Sequence, residues 1–92
     1  MKEVIISIEL GFFPQYDALP KDIKKKFVKQ ITFLKANPLH KSLQIHKIES
    51  TDFWEFYVDR GFRCIFKRES NVYRLYYVGT HKLIDRTQRR TI

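Results

Sequence analysis

The sequence predicts an α+β fold, a small and mainly antiparallel sheet with two N-terminal helices packed on one face. Three observations carry that reading. A β-rich segment, residues 4–8, comes first. Ile23, Phe27, Ile31 and Leu34 then recur at helical steps. From residue 43 onward the chain alternates in short pieces separated by turn residues. One strand, then helices, then a meander of strands is an α+β order, and it leaves the second sheet face for function.

Each element follows from local chemistry. After the first strand comes Gly11, and Phe12, Phe13 and Tyr16 suit a short helix that ends before Pro20. Pro20 fits the first turn of the second helix, where a missing N–H costs nothing, and Asp22 complements the positive helix end. Lys25 and Lys29 fall on the side away from the apolar stripe. Asn37-Pro38 ends this helix, because a residue before proline avoids the α region. Residues 43–48 form a short strand. Residues 53–58 follow, with Trp54, Phe56 and Val58 on one side and Phe53, Glu55 and Tyr57 on the other. Arg60-Gly61 turns the chain into residues 62–67, with Phe62, Cys64 and Phe66 opposed to Arg63, Ile65 and Lys67. Glu69-Ser70-Asn71 is a hairpin loop, residues 72–78 are the last strand, and Gly79 stops it. The expected core between helix and sheet is Phe27, Ile31, Leu34, Trp54, Phe56, Phe62 and Phe66.

Composition narrows the function. The 92 residues suit one domain, spanning 1–92, and a 43% hydrophobic content with eight Phe, five Tyr and one Trp suits a dense core. Eighteen Lys and Arg against ten Asp and Glu give a net charge of +8, a field that attracts polyanions. The charge is concentrated in residues 21–30, at +4, and residues 63–92, at +6. The single cysteine, Cys64, excludes an internal disulfide and a thiolate zinc cluster, and three scattered histidines have no metal spacing. No cofactor motif, phosphate loop or nucleophile elbow is present. No signal peptide or apolar run of membrane-spanning length is visible, so a soluble, cytoplasmic protein is expected, with no membrane partner.

Three features could carry chemistry. The basic stretch Lys21, Lys24, Lys25, Lys26 and Lys29 is either a solvated helix face or an attachment to phosphates or an acidic partner. Arg63, with Arg60 nearby, is either a surface arginine lying on Ile65 or a guanidinium fork for a phosphate on the open face. His81, in Val78-Gly79-Thr80-His81-Lys82, is either an ordinary loop residue or a proton donor at the sheet edge. His46-Lys47 is a weaker version of the same signal.

These pieces, in this order, resemble the RelE/ParE superfamily of bacterial and archaeal type II toxins. The resemblance rests on Leu19-Pro20 before a basic helix and on Asn37-Pro38-Leu39-His40-Lys41-Ser42-Leu43 after it. It continues through Phe53-Trp54-Glu55-Phe56-Tyr57-Val58, Gly61-Phe62-Arg63-Cys64-Ile65-Phe66 and Tyr77-Val78-Gly79-Thr80-His81, and so covers roughly residues 2–86. It implies a RelE/ParE-like fold and a ribosome-dependent mRNA endoribonuclease that inhibits translation, neutralised by a cognate acidic antitoxin. The implied cleavage is metal-independent and leaves a 2′,3′-cyclic phosphate. Arg63 matches the family's arginine on the penultimate strand, and His81 matches a position that is histidine in many branches. One branch carries two lysines where this chain has Trp54-Glu55-Phe56, and a tyrosine where it has Thr87. The base is therefore not carried over from that branch, and Lys47, His46 and Glu55 are the local substitutes, in that order. Arg60, Lys82, Arg86, Arg89, Arg90, Lys25 and Lys29 are expected to grip RNA or the ribosome. The superfamily also contains gyrase inhibitors that act without hydrolysis, and a non-toxic basic nucleic-acid-binding homologue is a third reading.

Overall fold

Two amphipathic surfaces meet in the computed structural model, which describes residues 3–80. The elements are β1 (Ile5–Ile8), α1 (Phe12–Asp17), α2 (Lys21–Ala36), a 3-10 turn (Lys41–Leu43), β2 (His46–Lys47), β3 (Trp54–Asp59), β4 (Phe62–Glu69) and β5 (Val72–Thr80). They form one five-stranded sheet in the order β1-β5-β4-β3-β2. Only the β1–β5 pairing is parallel; the other three are antiparallel. The α+β expectation therefore holds, with a parallel edge strand added.

Pairing across the sheet fixes what each strand buries. Trp54 lies opposite Phe66, which lies opposite Leu75. Phe56 lies opposite Cys64, which lies opposite Val78. Apart from half-buried Trp54, these residues are at most 2% exposed. An aromatic chain ties the helices to this face. Ring centroids of Phe12 and Phe27 are 5.6 Å apart, Phe27 and Phe56 6.1 Å, Phe56 and Phe66 5.9 Å, and Phe66 and Tyr73 5.4 Å. Such offset and tilted pairs add to the area they bury.

The core departs from the sequence reading in instructive places. Ile31, Trp54 and Phe62 are only half-buried and pack against the core from its margin. On α2 the buried residues are Ile23, Phe27, Gln30 and Leu34, so Gln30 takes the place expected for Ile31. Its amide nitrogen donates to the carbonyls of Tyr57 at 2.6 Å and Ser42 at 3.0 Å, and its oxygen accepts from the Ser42 hydroxyl at 3.3 Å. A buried amide is tolerated where its hydrogen bonds are made. The strand expected at residues 43–48 is reduced to His46–Lys47, because Lys41–Leu43 winds into a 3-10 turn and Gln44 takes a positive φ of 47°. Pro20 caps α2 in an extended conformation, one residue outside the helix.

Gly79 does not stop the last strand. β5 runs through it to Thr80. A register shift beside Ile65 and Phe66 leaves Tyr76 as an extra residue, so that Leu75 and Val78 both face the core although three positions apart. A Cβ on Gly79 would stand 3.0 Å from the Tyr77 ring. The glycine is thus a space for that ring.

Because Phe27 is 6% exposed and bridges Phe12 to Phe56, Phe27→Ala should lower unfolding free energy by about 3–5 kcal/mol in urea denaturation. Val28→Ala, on the exposed side of the same helix, should change it by less than about 0.5 kcal/mol.

Candidate active site

The face turned away from the helices is built by the same alternation. Since Cys64 and Phe66 enter the core, Arg63, Ile65 and Lys67 face the other way. Tyr57 and Gly79 flank Arg63 on the neighbouring strands, and Glu55 and Tyr77 flank Ile65.

Arg63 is half-buried and held. Its guanidinium lies 4.8 Å from the centroid of the Tyr57 ring. Nη1 donates to the carbonyls of Asp59 at 2.7 Å, Phe62 at 2.9 Å and Arg60 at 3.4 Å. The same β3–β4 turn is tied to α2 by an ion pair of 2.6 Å between Lys26 Nζ and Asp59 Oδ1. Hydrogen bonding in that pair holds the Asp59 carboxyl below its ordinary range and the Lys26 ammonium above it. Among the described residues, the hydrogen bonds of Arg63 all use Nη1. The Nε–Nη2 edge is the part of the fork that a phosphate can meet in bidentate fashion.

Next to this tier is a carboxylate–imidazole pair. Nε2 of His46 is 2.9 Å from Oε1 of Glu55, whose side chain is 8% exposed against 58% for His46. Nδ1 of His46 is 3.0 Å from the carbonyl of Gln44. Both ring nitrogens therefore face acceptors, and neither is left for a substrate in this arrangement. The pairing with His46 allows the burial of Glu55. Glu55 stands opposite Ile65, two positions along β4 from Arg63. That makes it a diagonal neighbour of the arginine, at roughly 7–8 Å in sheet geometry. The face thus places a carboxylate and a guanidinium on adjacent strands, one diagonal step apart.

Two residues join the site that sequence reasoning did not single out. Tyr57 supplies the ring beneath Arg63, and strand alternation already put it on the right side. Tyr77 brings a hydroxyl that burial holds above the usual phenol range, so it stays a neutral donor and acceptor. Its face depended on the β5 register shift, which no sequence pattern announces.

Other candidates are placed elsewhere. Lys47 pairs with Trp54, one residue out of phase with His46, and lines a separate cavity with Trp54 and Lys67. Arg60 is exposed in the β3–β4 turn. Lys25 and Lys29 are exposed on α2, in the layer behind the sheet. His81, Lys82, Arg86, Arg89 and Arg90 lie outside the described residues. Cys64 is fully buried, and burial pushes its thiol well up, as suits a core residue. Among the described residues, no three His, Cys, Asp or Glu side chains gather where they could hold a metal, and no helix is long and apolar enough to cross a membrane.

No family model and no curated protein matches this sequence. Solved structures do match it. YafQ from E. coli strain BL21(DE3) superposes with a TM-score of 0.72 at 20% identity, over 89% of this chain and 98% of its own. The RelB–RelE antitoxin–toxin complex from Methanococcus jannaschii gives 0.74 at 17% identity, over 88% and 96%. The chain has the RelE/ParE toxin fold. A YoeB/ParE toxin from Agrobacterium tumefaciens superposes with a TM-score of 0.68 at 10% identity, over 85% of this chain and 99% of its own. The RelE/ParE fold here is nearly end to end, so the open sheet face is not an insertion on an unrelated scaffold.

The sequence leaves Arg63 either as a surface arginine lying on Ile65 or as a phosphate-binding fork. Its bonds to the turn carbonyls make it structural as well. Arg63→Ala should therefore lower unfolding free energy by about 1–3 kcal/mol in urea denaturation. Arg63→Lys should restore little of this, because an ammonium lacks the planar fork.

Proposed function

We propose that this chain is the toxin of a type II toxin–antitoxin pair and that it cleaves mRNA on the ribosome. The observation that supports the reading is the placement of Arg63 and Glu55 as diagonal neighbours, on adjacent strands of the sheet face turned away from the helices, in a RelE/ParE fold. In the proposed reaction the ribose 2′-oxygen attacks the adjacent phosphorus and the P–O5′ bond breaks. The products are a 2′,3′-cyclic phosphate and a free 5′-hydroxyl. Glu55 takes the proton of the 2′-hydroxyl, and the Arg63 fork stabilises the charge that develops on the phosphate oxygens. His81, the residue after β5 in sequence, gives a proton to the leaving 5′-oxygen. Both groups then exchange protons with solvent. No metal enters these steps.

The partner we propose is an acidic antitoxin. YafQ and the archaeal RelE are each found in complex with an antitoxin, DinJ and RelB. A chain of net charge +8 gains on-rate and complementarity from an anionic partner.

Induced expression with transcript-end mapping tests the reading. The parent chain should arrest growth and leave codon-phased cuts in mRNA. Glu55→Gln and His81→Gln should each slow cutting by about 10²–10⁴-fold. Full cutting by both variants would remove the assigned base and acid. Growth arrest with loss of supercoiling and intact mRNA would instead point to gyrase.

A further inference from the structure

With only 8% of its side chain exposed, Glu55 is a carboxylate that needs a partner. The cations nearest in register are committed elsewhere. Arg63 and Lys67 each stand one diagonal step from Glu55 along β4. Arg63 donates to the carbonyls of Asp59, Arg60 and Phe62. Nζ of Lys67 lies 4.8 Å from the Phe53 centroid and 5.6 Å from that of Tyr76. Among the described residues, the one ion pair of Glu55 is with His46, at 2.9 Å.

The local chain fixes the His46 ring. β2 pairs His46, not Lys47, with Glu55. Gln44, two residues earlier, takes a positive φ of 47° where the 3-10 turn ends, and its carbonyl lies 3.0 Å from Nδ1. A carbonyl only accepts, so Nδ1 carries a proton and Nε2 is left to Glu55. A hydrogen bond at one ring nitrogen in this way sets the role of the other. On the carboxylate the contact uses Oε1, which leaves Oε2 over among the described residues.

We propose that His46 is a positioning residue for the cleavage, which holds Oε1 of Glu55 and so turns Oε2 toward the ribose 2′-hydroxyl. This rests on the ribonuclease reading and deepens it. Oε2 takes the 2′-hydroxyl proton as the 2′-oxygen bonds to phosphorus. The P–O5′ bond breaks, and the 5′-oxygen leaves with the proton that His81 supplies. The His46 contact to Oε1 is kept throughout, and His46 itself touches no RNA. A ring with both nitrogens engaged is no base, so one candidate base from the sequence becomes the support of another. A reacting group misplaced by about 1 Å can cost about 10²-fold in rate, which is the scale of the effect expected here.

Two measurements test this. In the free protein, NMR of the His46 ring nitrogens should show a proton on Nδ1, and Glu55→Gln should shift the Nε2 signal. Ring signals indifferent to Glu55→Gln would overturn the proposal even if the chain cuts mRNA. The second measurement is the steady-state cutting of mRNA on ribosomes by two polar variants. His46→Gln reaches Oε1 with an amide donor and should keep most of the activity. His46→Asn is too short, and it should lower kcat by about 10²-fold while KM holds. Equal kcat in the two variants would overturn the positioning role. A loss in KM alone would also overturn it, in favour of a direct RNA contact. Ring signals that respond as expected in a chain that leaves mRNA intact would keep the pair but remove the ribonuclease reading, and the positioning role with it.

Discussion

The structure depends on one constraint, the two-residue alternation of β3, β4 and β5 beneath a helical layer. Once Phe56, Cys64 and Val78 are committed to the core, Tyr57 and Arg63 have only the other face to occupy. A one-residue slip would turn Arg63 into the core and expose Cys64. The energetic penalty for burying a guanidinium among aromatic rings makes that slip prohibitive. The register is therefore set by the apolar face, and the chemistry of the opposite face inherits it.

Preorganisation follows from how the β3–β4 turn is anchored. Gln30 reaches from α2 to the Tyr57 carbonyl, and Lys26 reaches to Asp59 two residues on. Arg63 then closes onto the turn through three carbonyls and the Tyr57 ring. Much of the rotamer entropy of a free arginine, about 2 kcal/mol, is thus already lost before any ligand arrives. A charge fixed in this way need not reorganise when a phosphate becomes more negative, which is where electrostatic stabilisation is most effective.

The positive charge of the chain is divided between two layers. The lysines of α2 stand behind the sheet, and Lys67, Arg68 and Arg74 stand at the hairpin end of β4 and β5. These surfaces are separated by the thickness of the core, so a single strand on the open face does not meet both. Lys26 is further occupied by Asp59, and Lys24 lies near the Tyr16 ring. The helix is less uniformly available as a basic patch than its sequence suggests.

The sequence by itself determined the order of elements, the two helices, the β3–β4 and β4–β5 turns, and the face on which Tyr57 and Arg63 lie. All of these follow from local propensity and from periodicities of 3.6 and 2, which need no distant partner. Tertiary structure decided the rest. Gln30 replaced Ile31 in the core because carbonyls from the Ser42 turn and from β3 converge on it. Glu55 is buried and paired because the β2–β3 register presents His46, not Lys47, to it. Gly79 is part of a strand because it pairs with Arg63 of β4, and the Tyr77 ring occupies the space a side chain there would need. Each of these depends on contacts between residues far apart in the chain, where a hydrogen bond or a ring's volume outweighs the preference of the single residue.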